Sequence, residues 1–253
     1  MAIKDQLAQG DRLLGVLLRT PAEELIEMCA VAGFDFVLID CEHGPADLVP
    51  LRQHLAITAA YGVPTLVRVG TGEPALVLRA LDGGAAGIVA PHIDTAAQAV
   101  ALVGSAHYPP VGRRGFATYS RAGRYGQVDP RAHQERLVAE TLVIGMIESP
   151  EGVANCGDIL RTPGLDGIMI GTADLRAAST AADPAPADSV RAVHDQLAQR
   201  GRVRLDIVNS ADQARRSFAD GASMVVYNLT HTIMEHLAGL RSAQPALAPD
   251  PER

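Results

Sequence analysis

Three ionisable side chains, Asp40, Glu42 and His43, fall within four residues, directly after the apolar run Phe36-Val37-Leu38-Ile39 and just before Gly44-Pro45. An imidazole can act as a base near neutral pH, and Asp40, three residues earlier, suits the task of orienting its other ring nitrogen. Arg68 ends a second apolar run, Thr65-Leu66-Val67. Its planar fork of donors matches a carboxylate or a developing enolate oxygen. Glu148 closes a third run, Leu142 to Ile147, and Asp174 follows a fourth, Gly167 to Ile170, across Gly171-Thr172-Ala173. Two carboxylates brought together without a cation repel each other, so one pKa rises; a hard divalent ion relieves this and suits oxygen ligands. The backbone amides of 171–174 add a second cradle for an anion. Metal, arginine and imidazole together describe enolate chemistry on a 2-oxo acid. Each residue alone has a plainer assignment: a solvated turn with His43 on the surface, Glu148 as a partner of Arg68, Asp174 as a helix cap.

What makes the set coherent is where each member sits. Apolar runs at 13–18, 36–40, 64–70, 87–92, 141–148, 167–171, 202–208 and 223–228 read as strands, each trailed by a helical pattern. Eight such units predict a single (β/α)8 barrel, in which the carboxyl ends of the strands open into one mouth. Thr20-Pro21 before Glu23 and Glu24 reads as a helix start, and Ala46 to Tyr61 as a helix. Residues 105–130, rich in Pro and Gly, form a long excursion; 177–187 is a loop. The barrel domain spans 1–241 and 242–253 form a flexible tail. A doubly wound open sheet would want Gly-x-Gly-x-x-Gly after an early strand, and Gly70-Thr71-Gly72 supplies only two of those glycines.

Composition narrows the classes of function. A net charge of -7, with no basic run interleaved with aromatics, argues against nucleic-acid binding. There is neither a signal-peptide core nor an 18-residue apolar span, so the expectation is a cytoplasmic protein without membrane attachment. Cys29, Cys41 and Cys156 lack metal-ligand spacing and read as buried free thiols. Lys4 is the only lysine, which leaves no residue near a barrel mouth for Schiff-base chemistry.

The chain resembles the HpcH/HpaI aldolase family, the class II metal-dependent pyruvate aldolases, over nearly its whole length. The resemblance is carried by Leu14-Gly-Val-Leu-Leu-Arg-Thr-Pro21, Ala32 through Pro45, Val67-Arg-Val69, Tyr108-Pro-Pro-Val-Gly-Arg-Arg-Gly115, Ile147-Glu148 with Gly152-Val-Ala-Asn155, and Gly164 through Leu175. It implies a phosphoenolpyruvate/pyruvate-type barrel that cleaves a 4-hydroxy-2-oxo acid to pyruvate and an aldehyde. It also implies Mg2+ or Mn2+, with Co2+ as an alternative, on Glu148 and Asp174, and Glu42 holding metal-bound water. His43 with Asp40 becomes the acid/base pair, Arg68 binds pyruvate oxygen, and Gly171, Thr172 and Ala173 receive the carboxylate. Asp82 is expected to reach a neighbouring subunit's mouth in a homo-oligomer, a hexamer of dimers that exchange the final helix.

Three stretches depart from the family pattern: Met146 replaces a Gln near metal and pyruvate, 176–187 lacks the usual Gly loop and His-Pro pair, and strand eight ends Tyr227-Asn228-Leu229-Thr230. Such changes around an intact set of ligands permit oxaloacetate decarboxylation, addition of pyruvate enolate to an unusual acceptor, or a silent barrel used as a binding subunit. His92 faces the mouth or packs at the barrel end. His54, His107, His133, His194, His231 and His236 are expected to be mostly solvated. Arg113, Arg114, Arg121 and Arg124 read as surface or interface charges, with contact to an acidic substrate or a subunit neighbour as the alternative, and Tyr119 and Tyr125 on the same excursion are candidates to line the pocket.

Overall fold

Strands covered on both faces are uniformly apolar rather than alternating. The computed structural model, which describes residues 1–44 and 48–243, turns each such run into a strand. They are β1 (Leu13–Leu18), β2 (Phe36–Asp40), β3 (Thr65–Arg68), β4 (Gly87–Ala90), β5 (Leu142–Ile147), β6 (Gly167–Ile170), β7 (Val203–Val208) and β8 (Met224–Asn228). Each pairs in parallel with its neighbours, and β8 returns to β1 with Leu17 beside Asn228, so the barrel closes as expected. The helices are α1 (Ile3–Ala8), α2 (Glu23–Val31), α3 (Leu48–Ala60), α4 (Pro74–Asp82), α5 (Ala96–Ala106), α6 (Pro130–Glu140), α7 (Pro150–Ala154), α8 (Cys156–Ile159), α9 (Thr172–Ala178), α10 (Pro186–Gln199), α11 (Ala211–Ala219) and α12 (Leu229–Arg241).

Two apolar layers hold this architecture. Inside the barrel, Leu17, Leu38, Leu66, Ile144, Met169 and Leu205 pack around Phe36. Phe36 fits because Gly15 on β1 has no side chain; a Cβ there would overlap the ring. Between strands and helices, Val37, Val67, Ile88, Val143 and Ile168 meet Leu55, Leu81 and Val103. Fully burying one such side chain stabilises by roughly 1.5–3 kcal/mol.

Several local expectations need correction. The amino-terminal helix α1 was not legible as such; it plugs the amino end of the barrel with Ile3, and Lys4 bonds Asp166 and the carbonyl of Thr141. Helix α2 starts at Glu23, with Ala22 and not Thr20 in the capping position and no side chain capping it. The helical pattern after β5 divides into α7 and α8 at Asn155, whose side-chain amide donates to the carbonyl of Asp94. The loop placed at 177–187 is shorter, because α9 runs to Ala178 and α10 begins at Pro186. The first turn expected from Ala46, and the tail from residue 244 onward, lie outside the described residues.

His54, His107 and His133 are buried, not solvated. His54 sits on the inward face of α3 and accepts the N–H of Ala22, and burial pushes all three imidazoles below their ordinary pKa, so they pack as neutral rings. The three cysteines are free and buried, and burial raises the Cys41 and Cys156 thiols to about 11. The excursion leaves the end of α5 and runs along α4, where Arg114 pairs with Asp82. Among the described residues, no helix is long and apolar enough to cross a membrane.

Candidate active site

The parallel register sets Asp40, the last residue of β2, beside Arg68, the last of β3. Arg68 is buried, and its fork closes on the carboxylate: Nε to Oδ1 at 2.9 Å and Nη2 to Oδ2 at 2.5 Å. From the other side, Arg19, one residue past β1, donates Nε to the same Oδ2 at 2.8 Å. The backbone N–H groups of Glu42 and His43 add bonds to Oδ1, each 3.2 Å long. Gly44 allows this tight turn, since a Cβ there would overlap the carbonyls of Arg19 and Asp40. Burial alone would raise the Asp40 pKa; the bonds from Arg68, Arg19 and the His43 N–H outweigh it and hold the carboxyl below its ordinary value.

Asp40 is therefore committed sideways, to the strands on either side, and the His43 ring is not among its partners. The carboxylate near the ring is Glu42, whose Oε2 lies 3.8 Å from His43 Nε2 and 3.3 Å from Arg68 Nε. That oxygen is buried and, among the described residues, makes no hydrogen bond beyond this ion-pair approach of Arg68. The sequence reading, which set Asp40 behind the imidazole, is corrected on this point: a side chain at the end of a buried strand points across the sheet, whereas His43 lies out in the turn with its ring more than half exposed.

On β5 and β6 the acids have fewer partners. Glu148, the residue after β5, is 4% exposed and accepts the N–H of His92 at 3.1 Å. His92 presents that N–H from a left-handed conformation, φ 52°, and its Nδ1 lies 3.8 Å from the same oxygen. Burial raises the pKa of Glu148, the charges of Glu42 and Asp174 add to the rise, and His92 offsets part of it. Glu148 and Arg68 feel each other's charge without an ion pair between them. Gly171, between β6 and α9, lies against this carboxylate so closely that a Cβ would overlap Glu148 Oε1. Asp174 is exposed in the first turn of α9, where no side chain caps the helix, so the plainer reading of Asp174 as a cap does not hold. The amides of that turn, Thr172 to Asp174, have no helical carbonyl to bond. Behind Glu148, Ser149 bonds Asp94 and caps α7 through Gly152.

Among the described residues no three His, Cys, Asp or Glu side chains form a metal-binding group by themselves. Glu148 and Asp174 nonetheless suit a hard divalent cation, for two reasons: all their donors are oxygen, and Glu148 resists ionising alone, with the charge of Glu42 adding to that resistance. Mg2+ in particular is held by one or two carboxylates, with water and substrate filling its remaining positions.

The other expected residues are dispersed. Met146, on β5 two residues before Glu148, is 1% exposed inside the barrel, so it forms part of the floor beneath the site rather than its wall. Asp82 ends α4 and pairs with Arg114 at 2.5 Å, away from this chain's own mouth. Lys4 is at the opposite end of the barrel, which excludes it from Schiff-base chemistry. Arg19 was overlooked, although it follows an apolar strand in the same manner as Arg68.

The model of the HpcH/HpaI aldolase/citrate lyase family matches residues 14–232. The chain belongs to this family. HpcH/HpaI proteins of this kind are class II metal-dependent lyases, so the chain is an enzyme that cleaves a 2-oxo acid to pyruvate and an aldehyde or other acceptor. It is similar to the 2-keto-3-deoxy-L-rhamnonate aldolase of Salmonella gallinarum, with 32% identity across 95% of this chain and 93% of the relative. Among solved structures, the HpcH/HpaI aldolase from Desulfitobacterium hafniense DCB-2 superposes with a TM-score of 0.88, at 23% identity, over 98% of this chain and 100% of that one. A more distant fold relative, the citrate lyase beta subunit from M. tuberculosis, was solved with oxaloacetate and magnesium (TM-score 0.57, 18% identity, 89% and 95% covered).

Proposed function

We propose that the protein cleaves a 4-hydroxy-2-oxo acid, the class that includes 2-keto-3-deoxy sugar acids, to pyruvate and an aldehyde. The observation that carries this reading is geometric: Glu148 is a buried acid bonded by the His92 N–H and packed against Gly171, the residue that opens the helix carrying Asp174 in its first turn. Glu148 and Asp174 would hold Mg2+ or Mn2+, with Co2+ as a substitute. When bound, the ion polarises the 2-oxo group and lowers the barrier to enolate formation. The amides of Thr172 and Ala173 receive the substrate carboxylate, that of Gly171 being donated already to the carbonyl of Ile147. His43 accepts the proton of the 4-hydroxyl as the C3–C4 bond breaks and the aldehyde carbonyl forms. The electron pair of that bond passes to the 2-oxo oxygen, where the guanidinium of Arg68 stabilises the enolate charge. A proton returned to C3 completes the methyl group of pyruvate. Glu42, beside His43 and Arg68, orders water at this point. Asp82 of a neighbouring copy completes the mouth in a homo-oligomer, a hexamer of dimers, and three unpaired buried thiols suit the reducing cytoplasm.

The test is deuterium exchange into the methyl group of pyruvate, followed by proton NMR. Exchange is expected with Mg2+ or Mn2+, to stop with chelator, and to vanish in His43→Ala and Asp174→Ala. Exchange that continues in the chelated enzyme would overturn the reading. Cleavage assays with a 4-hydroxy-2-oxo acid and with oxaloacetate then separate aldol chemistry from decarboxylation.

A further inference from the structure

Arg19 follows β1 directly, and the reaction above gives it no task. Its side chain is one-third exposed, yet it reaches inward to Asp40, whose carboxylate is fully buried. It is thus not an ordinary surface ion pair, in which both partners face water. On Oδ2 of Asp40 it meets Arg68, so two guanidinium groups stand on either side of one oxygen atom. The three residues come from the ends of three consecutive strands, β1, β2 and β3, and Gly44 packs on the carbonyls of Arg19 and Asp40 above them.

We propose that Arg19 is a positioning residue for enolate formation, acting through Asp40 on Arg68; this rests on the aldolase reading above. Two physical arguments support it. The terminal torsion of an aspartate is soft and roughly two-fold, so a carboxylate held by Arg68 alone would turn together with that fork. Arg19 on Oδ2, with the amides of Glu42 and His43 on Oδ1, fixes the plane of the carboxylate to the barrel. The direction in which Arg68 presents its remaining donors is fixed with it. The second argument is charge. With Glu42 beside Arg68, the two guanidiniums balance the two carboxylates; without Arg19, Asp40 and Glu42 together outweigh Arg68. In a buried site a guanidinium freed of that excess acts on charge as it develops, so it helps the enolate more than the ground-state 2-oxo acid.

The experiment uses the full chain loaded with Mg2+ and follows methyl exchange of pyruvate across pyruvate concentrations. In Arg19→Met the saturating exchange rate is expected to fall about 10-fold while half-saturation moves by less than about 3-fold, the pattern of a lost transition-state interaction. If Arg19→Met does not fold, Arg19→Ala, which likewise removes both the charge and the donor on Asp40, is read by the same criteria. A rate equal to wild type, or a shift confined to half-saturation, overturns the positioning role. Absence of exchange in the wild-type holoenzyme would instead sink the aldolase reading, and this proposal with it, so the two failures are told apart by the wild-type control.

Discussion

The two flanks of the mouth are built on opposite principles. On the β1–β3 flank every charge has an answer nearby: Asp40 takes two guanidiniums and two amides, and Arg68 lies between Asp40 and Glu42. On the β5–β6 flank, Glu148 has one backbone donor and two acidic neighbours, and Asp174 has no cap to serve. A buried group that is fully bonded supplies fixed geometry, whereas one left short of partners supplies affinity for something still to come. The first flank is thus built to aim a guanidinium, and the second to attract a cation.

The contrast is sharpest when the second flank loses an acid. Glu148→Gln or Asp174→Asn should abolish divalent-ion binding by calorimetry and lower pyruvate exchange by about 10³-fold or more. In Glu148→Gln the metal-free protein should also melt a few degrees higher, at about 2–4 °C per kcal/mol, because an acid that resists ionising has been removed. On the first flank, Arg68→Lys keeps the charge but loses the fork that satisfies Asp40, and exchange should fall about 10²-fold. Gly171→Ala tests the closeness of β6 to Glu148 without backbone strain, since its φ is -81°. Metal affinity should drop about 10-fold with the melting temperature nearly unchanged.

The smallest effect is the pH dependence of stability, where the two flanks carry opposite signs. The folded pKa of Asp40 lies below its unfolded value of about 3.9. Its contribution is therefore present above that pH and is lost as pH falls through the folded value. The folded pKa of Glu148 is raised, so without metal its contribution declines as pH rises through the acid range, and added Mg2+ should stabilise more at pH 7 than at pH 4. Thermal melts of wild type and Asp40→Asn across that range, with and without Mg2+, check both signs; a metal-induced shift independent of pH would remove the distinction between the flanks.

The barrel was legible because its signal is redundant. β1 and β2 begin and end where their apolar runs do, since a buried parallel strand has no polar face to blur its limits. Short helices were not: α9 has seven residues and α1 six, too few to display a 3.6-residue period, and both owe their form to packing. Within the site, the residues at strand ends could be named from sequence, but their pairings could not. Asp40 was assigned to His43 because they are close in sequence, yet across a parallel sheet the nearer neighbours of a strand end are the ends of the adjoining strands, here Arg19 and Arg68. Arg19 carried the same signal as Arg68, an apolar run ending in a guanidinium, and could have been found by applying that rule to β1 as well.

Lys4 holds the plug helix to the starts of β5 and β6, through Thr141 and Asp166, at the end of the barrel away from the chemistry. Because no other side-chain amine exists in the sequence, an amine-directed reagent would mark that end of the barrel, at Lys4 and at the α-amino group of the neighbouring Met1, set apart from the mouth by the full height of the strands. A dye coupled at that spot would report the opening of the barrel floor during unfolding while leaving turnover measurable in the same sample.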